Sequence, residues 1–84
     1  MHYVYLLRCL DNSLYCGVSN DPEKRLREHN FSKTKASRYT RTRRPVKIVY
    51  LEKQKDLKSA LQREHQIKSW SKSKKEALVS GYHD

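Results

Sequence analysis

The chain has 84 residues, which allows one small domain, residues 1–84, with a limited core. Its 19 lysines and arginines against 9 acids leave a formal net charge of +10, an excess that points to a polyanionic partner, nucleic acid ahead of an anionic membrane surface. No apolar run approaches the roughly 20 residues of a membrane span, and two cysteines make no disulfide framework, so a membrane-spanning helix and a cross-linked secreted scaffold are both excluded.

The start, Met1-His2-Tyr3, lacks the charged opening and cleavage site of a secretory signal. A reduced, cytoplasmic setting is therefore expected. His2, His29, His65 and His83, with Cys9 and Cys16, match no zinc-ligand spacing. Tyr3 to Leu10 is rich in aromatic, β-branched and leucine residues, and Leu14 to Val18 is a second apolar run. Asp11-Asn12-Ser13 between them supplies turn chemistry, which predicts a β-hairpin. Asp21-Pro22 then opens a helix to about Asn30, with Asp21 as N-cap and Pro22 at the first turn. Ser32 to Arg44 holds six basic residues and no acid, and is expected to be a loop. Val46 to Leu51 reads as a third strand. Asp56 caps a long helix through Trp70, Ser73 to Glu76 reads as a capping box for a short last helix, and Gly81 ends it. The order β-β-α-β-α-α gives an α+β domain, a small antiparallel three-stranded sheet flanked by helices, expected to cover one face.

Several residues sit oddly in this pattern. Leu57, Ala60, Leu61 and Ile67 make one stripe of the long helix, and Glu64 falls in its middle. A carboxylate there needs a cation or a metal, unless the helix is rotated and Glu64 lies at the stripe's edge. Arg25 and His29 are one turn apart and project together, with Leu26 facing the core. Either they form a site or they belong to a solvated basic face. Tyr5 and Tyr15 lie on the two hairpin strands. A three-residue loop pairing Leu10 with Leu14 puts both phenols on one face beside Gly17, and Cys9 and Cys16 on opposite faces. A two-residue loop separates the phenols. Gly17 inside a strand leaves an opening for close approach. Lys35, Arg38, Tyr39, Arg41, Arg43 and Arg44 offer cations for phosphates and a ring for an unpaired base. Lys68, Lys72, Lys74 and Lys75 make a second basic cluster.

In this order the residues resemble the GIY-YIG nuclease domain. The first motif stands as Tyr3-Val4-Tyr5 and the second as Tyr15-Cys16-Gly17. Arg25 matches the helical arginine, His29 the histidine one turn on, and Glu64 the metal-binding glutamate of the later helix. The stretches YVYLLRC, YTRTRRPV and REHQIK are similar to those of small stand-alone bacterial members, themselves uncharacterised. Tyr3 and Cys16 depart from the motif's glycine and isoleucine and read as packing variants. The resemblance implies a metal-dependent endonuclease hydrolysing phosphodiester bonds, in DNA repair or processing. One Mg²⁺ or Mn²⁺ would sit on Glu64, with Arg25 on the phosphate, Tyr5 and Tyr15 handling the attacking water, and His29 as alternative base or phosphate contact. It favours DNA over RNA and leaves a protein partner for targeting as an option. The competing reading is a non-catalytic basic nucleic-acid-binding module.

Overall fold

The computed structural model describes residues 1–82; His83 lies outside them. Strands β1 (His2–Arg8) and β2 (Leu14–Ser19) form the hairpin. Helix α1 (Pro22–Phe31) and the one-turn helix α2 (Arg38–Arg41) precede strand β3 (Lys47–Gln54), and helices α3 (Leu57–Lys68) and α4 (Lys72–Ser80) complete the chain. The sheet order is β2-β1-β3, all antiparallel, so the first strand is central and β2 is an edge.

The hairpin turn is longer than the expected three residues. Arg8 pairs with Leu14, leaving Cys9 to Ser13 as the connection, with Asn12 at a positive φ of 71°, a conformation asparagine tolerates. The parity of the pairing is nevertheless the expected one. Tyr5 lies directly opposite Gly17 and Leu7 opposite Tyr15, so both phenols share one face. Cys9 and Cys16 go to opposite faces, both buried and both free thiols.

The helices divide between the two faces of the sheet instead of covering one. Val4, Leu6 and Cys16 pack with Ala60 and Ile67 of α3 and with Leu78 and Val79 of α4. On the other face Tyr5, Leu7, Cys9 and Val46 pack with Leu26 of α1 and Tyr39 of α2. Strict alternation along β1 makes this unavoidable. His2 to Arg8 contains four consecutive buried residues, Val4 to Leu7, a run that only a strand covered on both sides can have. A bulge in β3 shifts the pairing from Leu6–Tyr50 to Leu7–Ile48, so that Ile48 and Leu51 both reach the α1 face.

Local chemistry explains most boundaries. Asp21 accepts from Lys24 N–H as N-cap of α1, and Asp56 accepts from Ser59 N–H as N-cap of α3. The basic segment is not all loop, because Ser37 accepts from Thr40 N–H and starts α2. The last helix begins earlier than its predicted box, capped by Ser71, and ends at Gly81 as expected. The α3 stripe is rotated from the expected one. Ala60 and Ile67 are fully buried, whereas Leu57 and Leu61 are each 47% exposed. No helix among the described residues is long and apolar enough to cross a membrane.

Candidate active site

The polar centre of the α1 face is built around Tyr5. Its ring lies across from Gly17, which has no side chain to oppose it. Its hydroxyl is buried and meets His29 Nε2 at 2.9 Å. The opposite ring nitrogen, His29 Nδ1, meets Thr40 Oγ1 at 2.8 Å, and Thr40 Oγ1 meets Ser37 Oγ at 2.8 Å. His29 and Thr40 are both 0% exposed. A buried polar chain of this kind is stable only when each member has a partner, and α2 exists locally to supply the last two.

Thr40 sets which way the protons point. Its hydroxyl donates to the Ser37 carbonyl at 3.3 Å, so its oxygen accepts from His29 Nδ1–H. Nε2 of the neutral ring then accepts from the Tyr5 hydroxyl. The Arg25 charge lies near enough to lower the Tyr5 pKa, against the larger effect of burial. Arg25 Nη1 donates to Glu28 Oε1 at 3.1 Å and to the Lys35 carbonyl at 2.5 Å, tying the basic segment to α1.

Burial keeps both partners uncharged. Desolvation, followed by the Tyr15 phenol and opposed by Arg25, pushes the Tyr5 pKa well above the usual tyrosine range. Desolvation, helped by the charges of Arg25 and Arg44, brings His29 down from 6.5 to about 4. At neutral pH the pair is a phenol and a neutral imidazole.

Tyr15 sets its ring edge against the His29 ring at 5.4 Å and stacks on Tyr39 at 5.7 Å. Arg43 covers Tyr39 at 3.9 Å. The ring expected to stack on a base is thus stacked within the protein. The other predicted basic residues separate into two groups. Arg43 donates to Asp11 and to the Tyr39 carbonyl, and Arg44 donates to the carbonyls of His29 and Ser32. Lys35, Arg38 and Arg41 are exposed, Arg41 with one bond to the Ala36 carbonyl. In the second cluster Lys68 pairs with Glu64, Lys72 donates to the Asn12 carbonyl, and Lys74 sits 4.5 Å over Trp70.

Glu64 projects from α3, on the other layer. Its side chain is 20% exposed and its nearest cation is Lys68 at 3.5 Å. It is partly buried and has no arginine partner, and with Leu57 and Leu61 each 47% exposed it lies at the edge of a rotated stripe. Its charge acts both on Tyr5 of one face and on Cys16 of the other. Lys68, one turn on, stands 6.0 Å over the Tyr15 ring. The carboxylate is therefore at the β2 edge, where the two layers come within reach of each other. Asn30 also belongs to this scaffold, exchanging both of its amide hydrogen bonds with the Val46 backbone. Thr40, Ser37 and Asn30 were not singled out from the sequence, although the Ser37-to-Thr40 spacing is a cap signal.

The catalytic domain model of the GIY-YIG family matches residues 1–77. The chain belongs to this family. Its relatives include a UPF0213 protein of Haloquadratum walsbyi, 47% identical over 78 residues, covering 93% of this chain and 85% of the relative. A UPF0213 protein of Bacillus pumilus is 44% identical over 78 residues, covering 93% of this chain and 78% of the relative. The solution NMR structure of a UPF0213 protein from Bacillus halodurans is similar in fold, with a TM-score of 0.60 at 38% identity, covering 94% of this chain and 82% of that one. In this GIY-YIG chain the two motifs are the facing strands β1 and β2, and their tyrosine and glycine meet across the pair as Tyr5 and Gly17.

Proposed function

We propose that this chain is a divalent-metal-dependent endonuclease that hydrolyses phosphodiester bonds in nucleic acid, with DNA in repair or processing as the first substrate to test. The observation that supports the reading is the buried Tyr5 hydroxyl bonded to His29 Nε2, with the Arg25 charge close enough to act on both groups.

Neither Tyr5 nor His29 is a ready base alone, since burial opposes charge on both. Acting together they avoid the charged phenol. As water attacks phosphorus, its proton passes to the Tyr5 oxygen while the Tyr5 proton passes to His29 Nε2, and the phosphorus–oxygen bond to the leaving strand breaks. Arg25 links this relay to substrate. Its charge helps to hold His29 down, so a phosphate clamped on its planar fork both positions the reacting group and relieves that effect. The Nδ1 bond to Thr40 orients the imidazole.

Glu64 fits a hard divalent cation. It is a single, partly exposed carboxylate at the sheet edge, and Mg²⁺ keeps several waters and accepts one or two carboxylates with substrate phosphate. Among the described residues no group of three or more metal-binding side chains gathers, so Glu64 would be the protein's ligand. The bound ion would neutralise charge developing on the phosphate and leaving oxygen.

The test is nicking of plasmid and single-stranded DNA with Mg²⁺ or Mn²⁺. Glu64→Ala, Arg25→Ala and Tyr5→Phe are each expected to lower turnover by about a hundredfold or more, the usual size for a lost acid–base or charge-stabilising group. Equal trace activity in wild type and Glu64→Ala would end the catalytic reading and leave a basic binding module, the reading that the exposed Lys35, Arg38 and Arg41 support.

A further inference from the structure

Phe31 is 79% exposed, more than any other large apolar side chain among the described residues. It is the last residue of α1, just before the Ser32 cap. Helical spacing places Lys24, Arg27 and Phe31 on one stripe, on the side away from buried His29. Lys33 and Lys35 follow directly, and all four cations are exposed. None of the four belongs to an ion pair among the described residues. A flat apolar ring in water among unpaired cations complements a polyanion that also presents flat apolar faces, which is nucleic acid with accessible bases. An intact duplex hides those faces, and an acidic protein surface does not supply them.

We propose that Phe31 is a stacking platform for an unpaired nucleobase, with Lys24, Arg27, Lys33 and Lys35 holding the flanking phosphates. The assignment rests on the nuclease reading and extends it to substrate class: strands with an unpaired or displaced segment. The platform is joined to the candidate active site through the Arg25 bond to the Lys35 carbonyl. Phe31 lies six residues beyond Arg25 on the same helix, about 9 Å along its axis. Tyr39, the ring in the basic segment, cannot take this part, because Tyr15 and Arg43 already pack against it.

The experiment is fluorescence anisotropy with a single-stranded thymidine oligonucleotide, a blunt duplex and base-free polyphosphate, from 50 to 200 mM salt. Phe31→Ala is expected to weaken single-strand binding about tenfold, within the range for loss of one base–aromatic stack. Duplex and polyphosphate binding should change less than about twofold, and the salt slope should be unaltered because no charge is removed. Phe31→Trp should restore the affinity and Phe31→Leu should not, which separates stacking from apolar contact. Lys33→Ala with Lys35→Ala should instead make the salt slope shallower for every probe. Unchanged single-strand affinity in Phe31→Ala, or an equal loss on polyphosphate, overturns the platform. If wild type nicks DNA and Phe31→Ala matches it in binding, the platform alone falls; if wild type binds neither strand form, the nuclease reading falls with it.

Discussion

Replacing Gly17 by alanine tests the packing on which the Tyr5 site depends. A Cβ on residue 17 would stand 2.5 Å from Tyr5 Cζ and closer still to its hydroxyl oxygen. Ordinary carbon contacts begin near 3.5 Å, so the ring must retreat by about 1 Å. It has little room, being 2% exposed and bonded to His29 at 2.9 Å. Overpacking of this kind typically costs about 1–3 kcal/mol. Breaking the bond leaves a buried imidazole nitrogen unpaired, another ~1–3 kcal/mol. A loss of about 2–6 kcal/mol follows, a large share of the ~4–13 kcal/mol expected for a domain of this size. Urea denaturation monitored by Trp70 fluorescence measures it. At about 4–8 °C per kcal/mol the melting temperature should fall by at least ~8 °C. In the cycle with Tyr5→Phe, removal of the hydroxyl should make the alanine less damaging, with a coupling of about 1 kcal/mol or more. A Gly17→Ala protein within ~0.5 kcal/mol of wild type, and with unchanged coupling to Tyr5, would refute the close-approach argument.

Acid should expose the burial of His29. Its folded pKa of about 4 lies below the ordinary 6.5, so the unfolded chain binds more protons between those values and stability falls as pH drops from 6.5 to 4. The gap corresponds to about 3 kcal/mol. His29→Gln should lack that loss, and parallel stability–pH curves for the two proteins would contradict it. Arg44→Ala should cost about 2 kcal/mol, because it removes charged donors from the carbonyls of His29 and Ser32. Arg38→Ala should leave stability within ~0.5 kcal/mol while weakening nucleic-acid binding about uniformly across sequences and making its salt dependence shallower. The Arg8–Glu76 pair is bidentate, at 2.5 and 2.6 Å, yet partly exposed. A double-mutant cycle in urea should give about 1 kcal/mol or less, diminishing with salt.

Hairpin parity was legible only as a choice between odd and even turns: any odd-length turn yields one face for Tyr5 and Tyr15, and the five-residue turn decides it. The start of α1 was legible because Asp21-Pro22 is a local signal. The two-sided sheet was harder to foresee. Val4 to Leu7 is a continuous apolar run, and periodicity alone does not say what covers each side. The rotation of α3 was missed because exposed Leu57 and Leu61 look like core in a sequence, while the flanking Arg63 reaches inward to Glu52 and Trp70. Glu64 attracted notice through an inferred full burial that the helix does not give it. The roles of Thr40 and Ser37 depend on a partner eleven residues away, His29, a distance at which no local pattern operates. Arg43 and Arg44 looked like free cations because the carbonyls that hold them are invisible in a sequence.

The acid and the phenols arrive from opposite layers and meet only at the rim of β2. A chain still being synthesised would have Tyr5, Arg25 and His29 in hand well before α3 emerges and docks. On the proposed chemistry, the docking of α3 is then the step that completes the site, because that helix carries the proposed metal ligand.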